Sequence, residues 1–233
     1  MKMLNIQGLQ KTTLLDYPGC VAATVFMGGC NMRCPFCHNM NIVTGAAEPL
    51  FSEADILDFL SKRAGLLDGV CITGGEPTLY KDLPGFIGRI RDLGYKVKLD
   101  TNGTNINMLT YLIENLLVDY VAMDIKSSFA RYGSACGIGD IDLTPIKLSI
   151  DLLKKGLVDY EFRTTAVEEF LDQKAVSEIG SALKGARRYF LQGYVLSEFV
   201  PNRTLHAVPK EKLLQYLQEL SSYIDQVDIR GID

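Results

Sequence analysis

Short apolar runs rich in β-branched residues alternate six times with longer amphipathic stretches, and this alternation sets the tightest limit on the fold. The apolar runs, which we interpret as strands, occupy 21–27, 69–73, 96–101, 118–125, 159–167 and 188–195. The spacing of apolar residues between and after them predicts helices at 52–65, 81–94, 105–116, 144–156, 172–185 and 209–224. Strands separated by helices in this way pair in parallel through right-handed crossovers.

Six strand–helix units are fewer than the eight that close a full barrel. We therefore predict an α/β fold, a partial (βα)6 TIM-like barrel that is open-sided and has parallel strands, although an open doubly wound sheet satisfies the same alternation. A short N-terminal hairpin at about 4–19 and a last strand at 227–231 should flank the sheet. The length of 233 residues fits a single domain, in which 1–19 form the hairpin extension and 20–233 the partial barrel.

The charge and hydropathy of the chain exclude several classes of partner. The formal net charge is −4 and no run of lysines and arginines occurs, so we expect no binding of nucleic acid. No segment approaches about 18 uninterrupted apolar residues, and the first residues lack the apolar core of a signal peptide. We therefore expect no membrane association and a cytoplasmic location, where clustered cysteines indicate metal or redox chemistry rather than disulfides.

Three cysteines are crowded into the segment GGCNMRCPFCHN at 28–39, directly after the first predicted strand: Cys30, Cys34 and Cys37. Cysteine thiolates hold iron–sulfur clusters, and three of them would leave one iron of a 4Fe-4S cluster open. Two alternatives use the same residues. With His38 the cysteines could form a Cys3His zinc site, and the CPFC sequence alone has the form of a dithiol oxidoreductase. Adjacent Cys37 and His38 rarely reach one ion, however, and Cys30 would be superfluous in a dithiol enzyme.

Polar residues follow the next predicted strands, at the edge of the sheet where parallel α/β folds place their active sites. The segments are TGGEP at 73–77, DTNG at 100–103, MDIK at 123–126 and FRTT at 162–165. Because the carboxyl ends of parallel strands meet at one edge, glycines, carboxylates, a lysine and an arginine should converge beside the three thiols. This distribution indicates an active site rather than a core.

The spacing C-x-x-x-C-x-x-C, with Phe36 just before the last cysteine and GGEP at 74–77, resembles the radical S-adenosylmethionine (SAM) superfamily. The resemblance implies one 4Fe-4S cluster held by the three cysteines, with SAM bound to the fourth iron. One electron from the reduced cluster would cleave SAM and yield a 5′-deoxyadenosyl radical, which takes a hydrogen atom from the substrate. No catalytic residue beyond the cluster and SAM is required, although Arg163 is a candidate.

The resemblance also implies that nine residues bind SAM: Phe36, His38, Gly74, Gly75, Glu76, Asp100, Asn102, Asp124 and Lys126. The two glycines would let the backbone approach the methionine moiety, and Glu76 would accept from its ammonium group. Asp100 and Asn102 lie where the ribose hydroxyls need acceptors. Asp124 and Lys126 alternate on a strand end and so face one side; they either contact SAM or form a local ion pair at the rim.

A finer resemblance lies in KTTLLDYPG at 11–19, LDTNGT at 99–104, DYVAMDIK at 119–126 and DYEFRTT at 159–165. These segments are similar to the activating proteins of anaerobic ribonucleoside-triphosphate reductase, one group of glycyl-radical enzyme activating enzymes. The similarity implies a protein substrate, in which a backbone glycine loses a hydrogen atom, and a flavodoxin or ferredoxin as electron donor. The alternatives are a radical SAM enzyme acting on a small molecule, like 7-carboxy-7-deazaguanine synthase, and a non-catalytic zinc or thiol module.

Two features of the sequence each allow two interpretations. Arg163 could clamp substrate or cofactor, or it could form a salt bridge at the rim. The segment SSFARYGSACGIGDID at 127–142 has the composition of a loop, and it could be either a partner-contacting flap or a plain connection. Cys71 and Cys136 each stand alone in the sequence, so no second cluster is expected.

Overall fold

The structure, a computed structural model, describes residues 4–44 and 48–232. In this part of the chain the strands are β1 (Ile6–Thr13), β2 (Ala22–Met27), β3 (Gly69–Gly74), β4 (Lys96–Thr101), β5 (Tyr120–Asp124), β6 (Asp159–Ala166), β7 (Arg188–Gly193) and β8 (Gln226–Arg230). The helices are α1 (Met40–Val43), α2 (Glu53–Ser61), α3 (Leu83–Asp92), α4 (Ile106–Glu114), α5 (Tyr132–Cys136), α6 (Thr144–Lys154), α7 (Gln173–Ala182) and α8 (Lys210–Leu220). All six predicted strands and all six predicted helices are present.

The strands follow one another in the sheet in the order of the sequence, from β1 to β8. β1 pairs with β2 in antiparallel fashion, whereas β2–β3, β3–β4, β6–β7 and β7–β8 are parallel pairs. The predicted hairpin and final strand are therefore confirmed. The bounds of the hairpin were wrong, because 4–19 contains only β1 and the chain then turns through a hydrogen bond from Cys20 N to Tyr17 O. The second strand of the hairpin is β2 itself.

The chain packs as two compact units. One consists of the described residues of Met1–Asn31, Asn41–Ala122 and Leu157–Asp159, and the other of those of Met32–Met40, Met123–Gly156 and Tyr160–Asp233. Apolar side chains of the parallel strands fill the interior of each. Examples are Val25 and Ile72 in the first unit, and Phe162 with Tyr160 at a ring-centroid distance of 5.3 Å in the second.

Capping residues explain where several helices begin and end. Ser52 caps α2 by accepting from Asp55 N, and the Asp55 carboxylate accepts from Ser52 N at 2.8 Å, so the two residues form a capping box. Gly94 and Gly185 follow α3 and α7 with left-handed backbones. The longest helices, α6 and α8, have 11 residues, and none in the described part of the chain is long and apolar enough to cross a bilayer.

The loop predicted at 127–142 was wrong in part. This segment contains a 3-10 turn at Phe129–Arg131 and the short helix α5. The apolar positions of α5 are Tyr132, Ala135 and Cys136, all fully buried. Three buried residues in one helical turn are too few to produce a readable period, and the glycines around them suggested a loop.

A partly buried ion pair anchors the last strand. The carboxylate of Glu161 on β6 is fully buried and accepts two hydrogen bonds from Arg230 on β8, at 2.8 and 3.0 Å. The Arg230 guanidinium also lies 3.3 Å from the centroid of the Phe190 ring, on the intervening strand β7. The pair therefore ties together three neighbouring strands at the end of the sheet.

Replacing Arg230 by alanine should lower the free energy of unfolding by about 2 kcal/mol, because it removes two charge-assisted hydrogen bonds from the fully buried Glu161 carboxylate. Urea denaturation of the apoprotein under reducing conditions measures this. The matched control is Lys62→Ala, which removes the exposed pair with Asp58 and should cost less than about 0.5 kcal/mol. Equal losses in the two variants would contradict the role assigned to Arg230.

Candidate functional site

The cysteine loop (residues 28–39) follows β2 and is held largely by main-chain hydrogen bonds. Gly28 N donates to Asn5 O at 2.7 Å, Gly29 N donates to Ile42 O at 2.8 Å, and Cys37 N donates to Cys34 O at 3.1 Å. Cys34 is buried, and the other two cysteines of the loop are half-buried. All six cysteines lie in the described part of the chain, and none of them forms a disulfide.

The chemistry of the donor set in this loop fits an iron–sulfur cluster, because each iron of such a cluster takes one cysteine thiolate and the loop supplies three. Within residues 4–44 and 48–232, no three His, Cys, Asp or Glu side chains are grouped so that they could hold one metal ion. A zinc site needs four ligands around a single ion. The choice of Cys30, Cys34 and Cys37 as cluster ligands remains a prediction.

The glycines of the GGEP segment allow its main chain to pack directly on the main chain next to Cys30. Gly74 has φ +108°, and a Cβ added to Gly75 would lie 1.8 Å from Gly29 O. Gly75 N donates to Met27 O at 2.7 Å, and Glu76 N donates to Gly29 O at 2.9 Å. These positions therefore require glycine for the packing of the GGEP segment on the start of the cysteine loop. Their predicted approach to SAM remains a prediction.

Glu76 is fully buried and has several donors within the protein. Its carboxylate accepts from Thr78 N at 3.1 Å, from Thr101 Oγ1 at 2.8 Å and from Asn102 N at 2.6 Å, and also from the Thr78 hydroxyl. Burial raises the pKa of Glu76, and these four donors oppose that rise. The side chain thus joins the GGEP segment to the end of β4. Its predicted contact with the SAM ammonium group remains a prediction.

Asn102 belongs to a closed ring of hydrogen bonds next to Cys30. Asn102 Nδ2 donates to Asn31 Oδ1 at 2.9 Å, Asn31 Nδ2 donates to Thr104 Oγ1 at 2.9 Å, and the Thr104 hydroxyl donates to Asn102 Oδ1 at 2.7 Å. Asn102 Nδ2 also lies 3.9 Å from Cys30 Sγ. The ring fastens the residue after the first cysteine to the end of β4. Sequence reasoning singled out Asn102 but missed its two partners.

Asp100 is paired with a buried lysine that sequence reasoning also missed. The Lys98 ammonium group, with its side chain 1% exposed, forms an ion pair with the Asp100 carboxylate. Thr73 Oγ1 donates to the same carboxylate at 3.0 Å. The signal was present, because residues two apart on a strand share a face. Lys98 was read as part of an apolar run instead.

In the second unit, one carboxylate faces two cations. Asp124 Oδ2 lies 3.0 Å from Lys126 Nζ, and Asp124 Oδ1 accepts from Arg163 Nε at 2.9 Å. Burial alone would raise the pKa of Asp124, but the charges of Arg163 and Lys126 outweigh it and lower this pKa to about 2. Burial would lower the pKa of Lys126, whereas Asp124 and a thiolate at Cys34 raise it, and the net direction is upward. Arg163 thus forms a salt bridge with Asp124, and its role as a clamp for substrate or cofactor remains a prediction.

The aromatic side chains of the cysteine loop contact two later loops. Phe36 is buried, with its ring centroid 5.6 Å from that of Phe170 after β6. His38 is exposed, and its Nε2 lies 2.6 Å from Val195 O after β7. The His38 ring also lies 5.8 Å from the ring of Tyr194. That Phe36 and His38 lie beside the adenine of SAM remains a prediction. The sequence did not indicate their partners Phe170, Val195 and Tyr194.

The predicted site residues are shared between the two compact units. The first unit contains Cys30, Gly74, Gly75, Glu76, Asp100 and Asn102. The second contains Cys34, Phe36, Cys37, His38, Asp124, Lys126 and Arg163. In the first unit, Asn102 contacts both Glu76 and Cys30. In the second unit, Asp124, Lys126 and Arg163 form one charged group, whereas Phe36 and His38 contact residues outside the predicted set.

Comparison with known proteins identifies relatives along the whole chain. The model of the family described as the radical SAM superfamily matches residues 24–167. A protein of Methanocaldococcus jannaschii, provisionally named a glycyl-radical enzyme activating enzyme, is 34% identical over 244 residues, which cover 100% of this chain and 98% of the relative. The 7-carboxy-7-deazaguanine synthase of Koribacter versatilis is 30% identical over 171 residues, or 71% of each protein.

A solved structure supports the same fold. Streptococcus suis SuiB bound to S-adenosylmethionine superposes with a TM-score of 0.68 over 87% of this chain and 48% of that chain, at 12% identity. At this identity the likeness concerns the fold alone. Together with the strand order, it confirms the fold class that the sequence predicts.

Asp124→Asn should lower the free energy of unfolding by about 2 kcal/mol at pH 7, because it removes the anion between two cations. The pKa of Asp124 in the folded protein, about 2, lies below its ordinary value. Its contribution is therefore complete above about pH 4 and is lost as the pH falls toward 2, and about half should be gone by pH 3.

Urea denaturation of the two apoproteins at pH 7, 4 and 3 measures this difference. The control is Asp151→Asn on an exposed position of α6, which should change stability by less than about 0.5 kcal/mol. A loss in Asp124→Asn that is as large at pH 3 as at pH 7 would contradict the lowered pKa.

Gly75→Ala should prevent cluster assembly, because the added methyl group would overlap the backbone of Gly29 next to Cys30. We expect iron and sulfide per chain after anaerobic reconstitution to fall by at least about tenfold. Gly88→Ala in α3 is the control, since an added Cβ there meets no atom within 4 Å. Full iron content in Gly75→Ala would contradict this expectation. It would show that the cluster assembles without the close packing of Gly75 on Gly29.

Proposed function

The chain belongs to the radical SAM superfamily, and from this premise we propose that it is an activating enzyme for a glycyl-radical enzyme. Its cofactors are a 4Fe-4S cluster and SAM. The observation that carries the proposal is the similarity, over 98% of the relative's length, to the Methanocaldococcus jannaschii protein provisionally named for this activity. In the proposed reaction, a backbone glycine of a partner protein loses a hydrogen atom.

Three thiolates would hold the cluster in this proposal: Cys30, Cys34 and Cys37. When bound, the reduced cluster supplies the electron that cleaves SAM and so starts the radical chemistry. The chain itself supplies position. The glycine contact of Gly75 with Gly29 and the ring through Asn102 would hold the first ligand in place.

The charges near the second and third cysteines suit SAM. Lys126 and Arg163 both pair with Asp124 in the second unit. In our proposal these two cations would attract a carboxylate such as that of the SAM methionine moiety. In the first unit, by contrast, Asp100 is already balanced by Lys98 and would present hydrogen-bonding oxygens rather than a net charge to the ribose.

The finer proposal concerns the partner. The segments at 11–19, 99–104, 119–126 and 159–165 support anaerobic ribonucleoside-triphosphate reductase as the glycyl-radical enzyme, with a flavodoxin or ferredoxin as electron donor. A cytoplasmic enzyme fits such partners. None of these segments contributes one of the three cysteines, so the similarity is independent of the cluster motif.

A second candidate is a radical SAM enzyme that acts on a small molecule. The observation in its favour is the 30% identity to a 7-carboxy-7-deazaguanine synthase over 71% of both proteins. The same cysteines and the same cofactors would serve either reaction, so cluster chemistry alone does not separate the two candidates.

The two candidates differ in where the unpaired electron ends. The anaerobically reconstituted and reduced protein, SAM and the purified reductase should together give the doublet of a glycyl radical in the electron paramagnetic resonance spectrum. A reductase variant whose target glycine is replaced by alanine should give no doublet. The protein could instead release 5′-deoxyadenosine without a doublet, whichever glycyl-radical enzyme of the same genome is added. That result would favour the small-molecule reaction.

Replacement of Cys34 by alanine should abolish both the doublet and the release of deoxyadenosine, because the cluster loses one of three protein ligands. The control is Cys20→Ala, which changes a half-buried cysteine outside the loop and should leave both signals within about twofold. Normal deoxyadenosine release by Cys34→Ala would overturn the assignment of the cluster ligands.

A further inference from the structure

The segment 127–142 has a defined structure with no role in the function proposed above. Its helix α5 ends at Cys136, and Gly137 follows with φ +70°. Gly137 N and Ile138 N both donate to Gly133 O, the latter at 2.9 Å. This is a helix end closed by a left-handed glycine, in which one carbonyl of the helix accepts both closing bonds.

The closed helix end lies against the cysteine loop. Arg33 N donates to Cys136 O at 2.9 Å. A Cβ added to Gly137 would lie 2.1 Å from Arg33 O and 2.7 Å from Arg33 C. The turn at 136–137 therefore contacts the main chain of Arg33 at both its amide nitrogen and its carbonyl group. Arg33 directly precedes Cys34, in the stretch that separates the first two cysteines.

The segment that makes this contact is itself fixed within the same unit. Tyr132 is fully buried, and its hydroxyl donates to Asp124 O at 3.3 Å, at the end of β5. Ser127 Oγ donates to Phe170 O at 2.7 Å. A Cβ added to Gly133 would lie 2.4 Å from Gly139 O, so the inside of the turn has no free space. A contact anchored in this way restrains the cysteine loop instead of moving with it.

We propose that the turn at 136–137 is a positioning element for the iron–sulfur cluster, and that Gly137 is its essential residue. Three thiolates can share one cluster only while the main chain between them keeps its conformation, and the turn holds that main chain just before Cys34. Groups outside the ligand set commonly change metal affinity by 10- to 100-fold through such restraint. The inference concerns cluster retention, and it holds whichever substrate the enzyme acts on.

The test compares Gly137→Ala with Gly185→Ala. Both glycines follow helices with left-handed backbones, at φ +70° and φ +79°, so both substitutions impose similar backbone strain. An added Cβ at Gly185 meets no atom within 4 Å, whereas at Gly137 it overlaps the main chain of Arg33. The pair therefore separates loss of the contact from loss of helix-end stability.

The measurement is the rate at which the reconstituted, anaerobic proteins lose their iron–sulfur absorbance to a chelator. We expect Gly137→Ala to lose the cluster about tenfold faster than the wild type, and Gly185→Ala to stay within about twofold. The reduced cluster of Gly137→Ala should also show a shifted electron paramagnetic resonance spectrum, which strain at a distant helix end would not produce. The urea midpoint of the Gly137→Ala apoprotein should fall further than that of the Gly185→Ala apoprotein, because only Gly137→Ala adds a steric overlap to the backbone strain.

Equal rates of cluster loss in Gly137→Ala and the wild type, with unchanged spectra, would overturn the proposal. If Gly137→Ala does not fold, Gly133→Ala replaces it, because its Cβ would distort the turn from inside without touching Arg33. Faster cluster loss in that variant supports the proposal, and the wild-type rate contradicts it. No partner protein enters the assay, so its failure is distinct from failure of the proposed function.

Discussion

The approach of Gly75 to Gly29 is the contact on which the cysteine loop depends. Two main-chain segments meet where any side chain would intrude, since a Cβ at Gly75 would lie 1.8 Å from Gly29 O. The hydrogen bond from Glu76 N to Gly29 O then joins the end of β3 to the residue before Cys30. Main-chain contacts of this kind restrict motion more than side-chain contacts, because few rotatable bonds intervene. The turn at 136–137 applies the same principle to Arg33.

In our proposal, the buried charged residues have different roles in binding the cofactor. Glu76 has four donors inside the protein, and Asp100 has the ammonium group of Lys98. Both carboxylates are therefore satisfied by the fold. Asp124 lies between two cations, Lys126 and Arg163. Buried charges of this kind are stable only when they are paired or remain close to water.

Much of the fold could be predicted because its signals are local. The alternation of apolar runs with amphipathic stretches predicted six strands and six helices, all of which are present. The helix α5 was missed because one buried turn is too short to show a period. Lys98 was missed because the neighbouring apolar residues concealed the alternation that places it beside Asp100. The hairpin bounds were wrong because β2 serves both the hairpin and the parallel sheet.

The amino-acid order alone was enough to specify the three cysteines, the GGEP segment and the succession of strands, because each is a short pattern read along the chain. The partners of these residues were decided by tertiary structure. Asn102 bonds to Asn31 over 71 positions, His38 to Val195 over 157, and the main chain of Arg33 to that of Cys136. Local periodicity carries no information about such pairs, since their distances follow from how the strands and loops pack. Sequence thus predicted the cluster ligands, and packing decided which residues contact their loop.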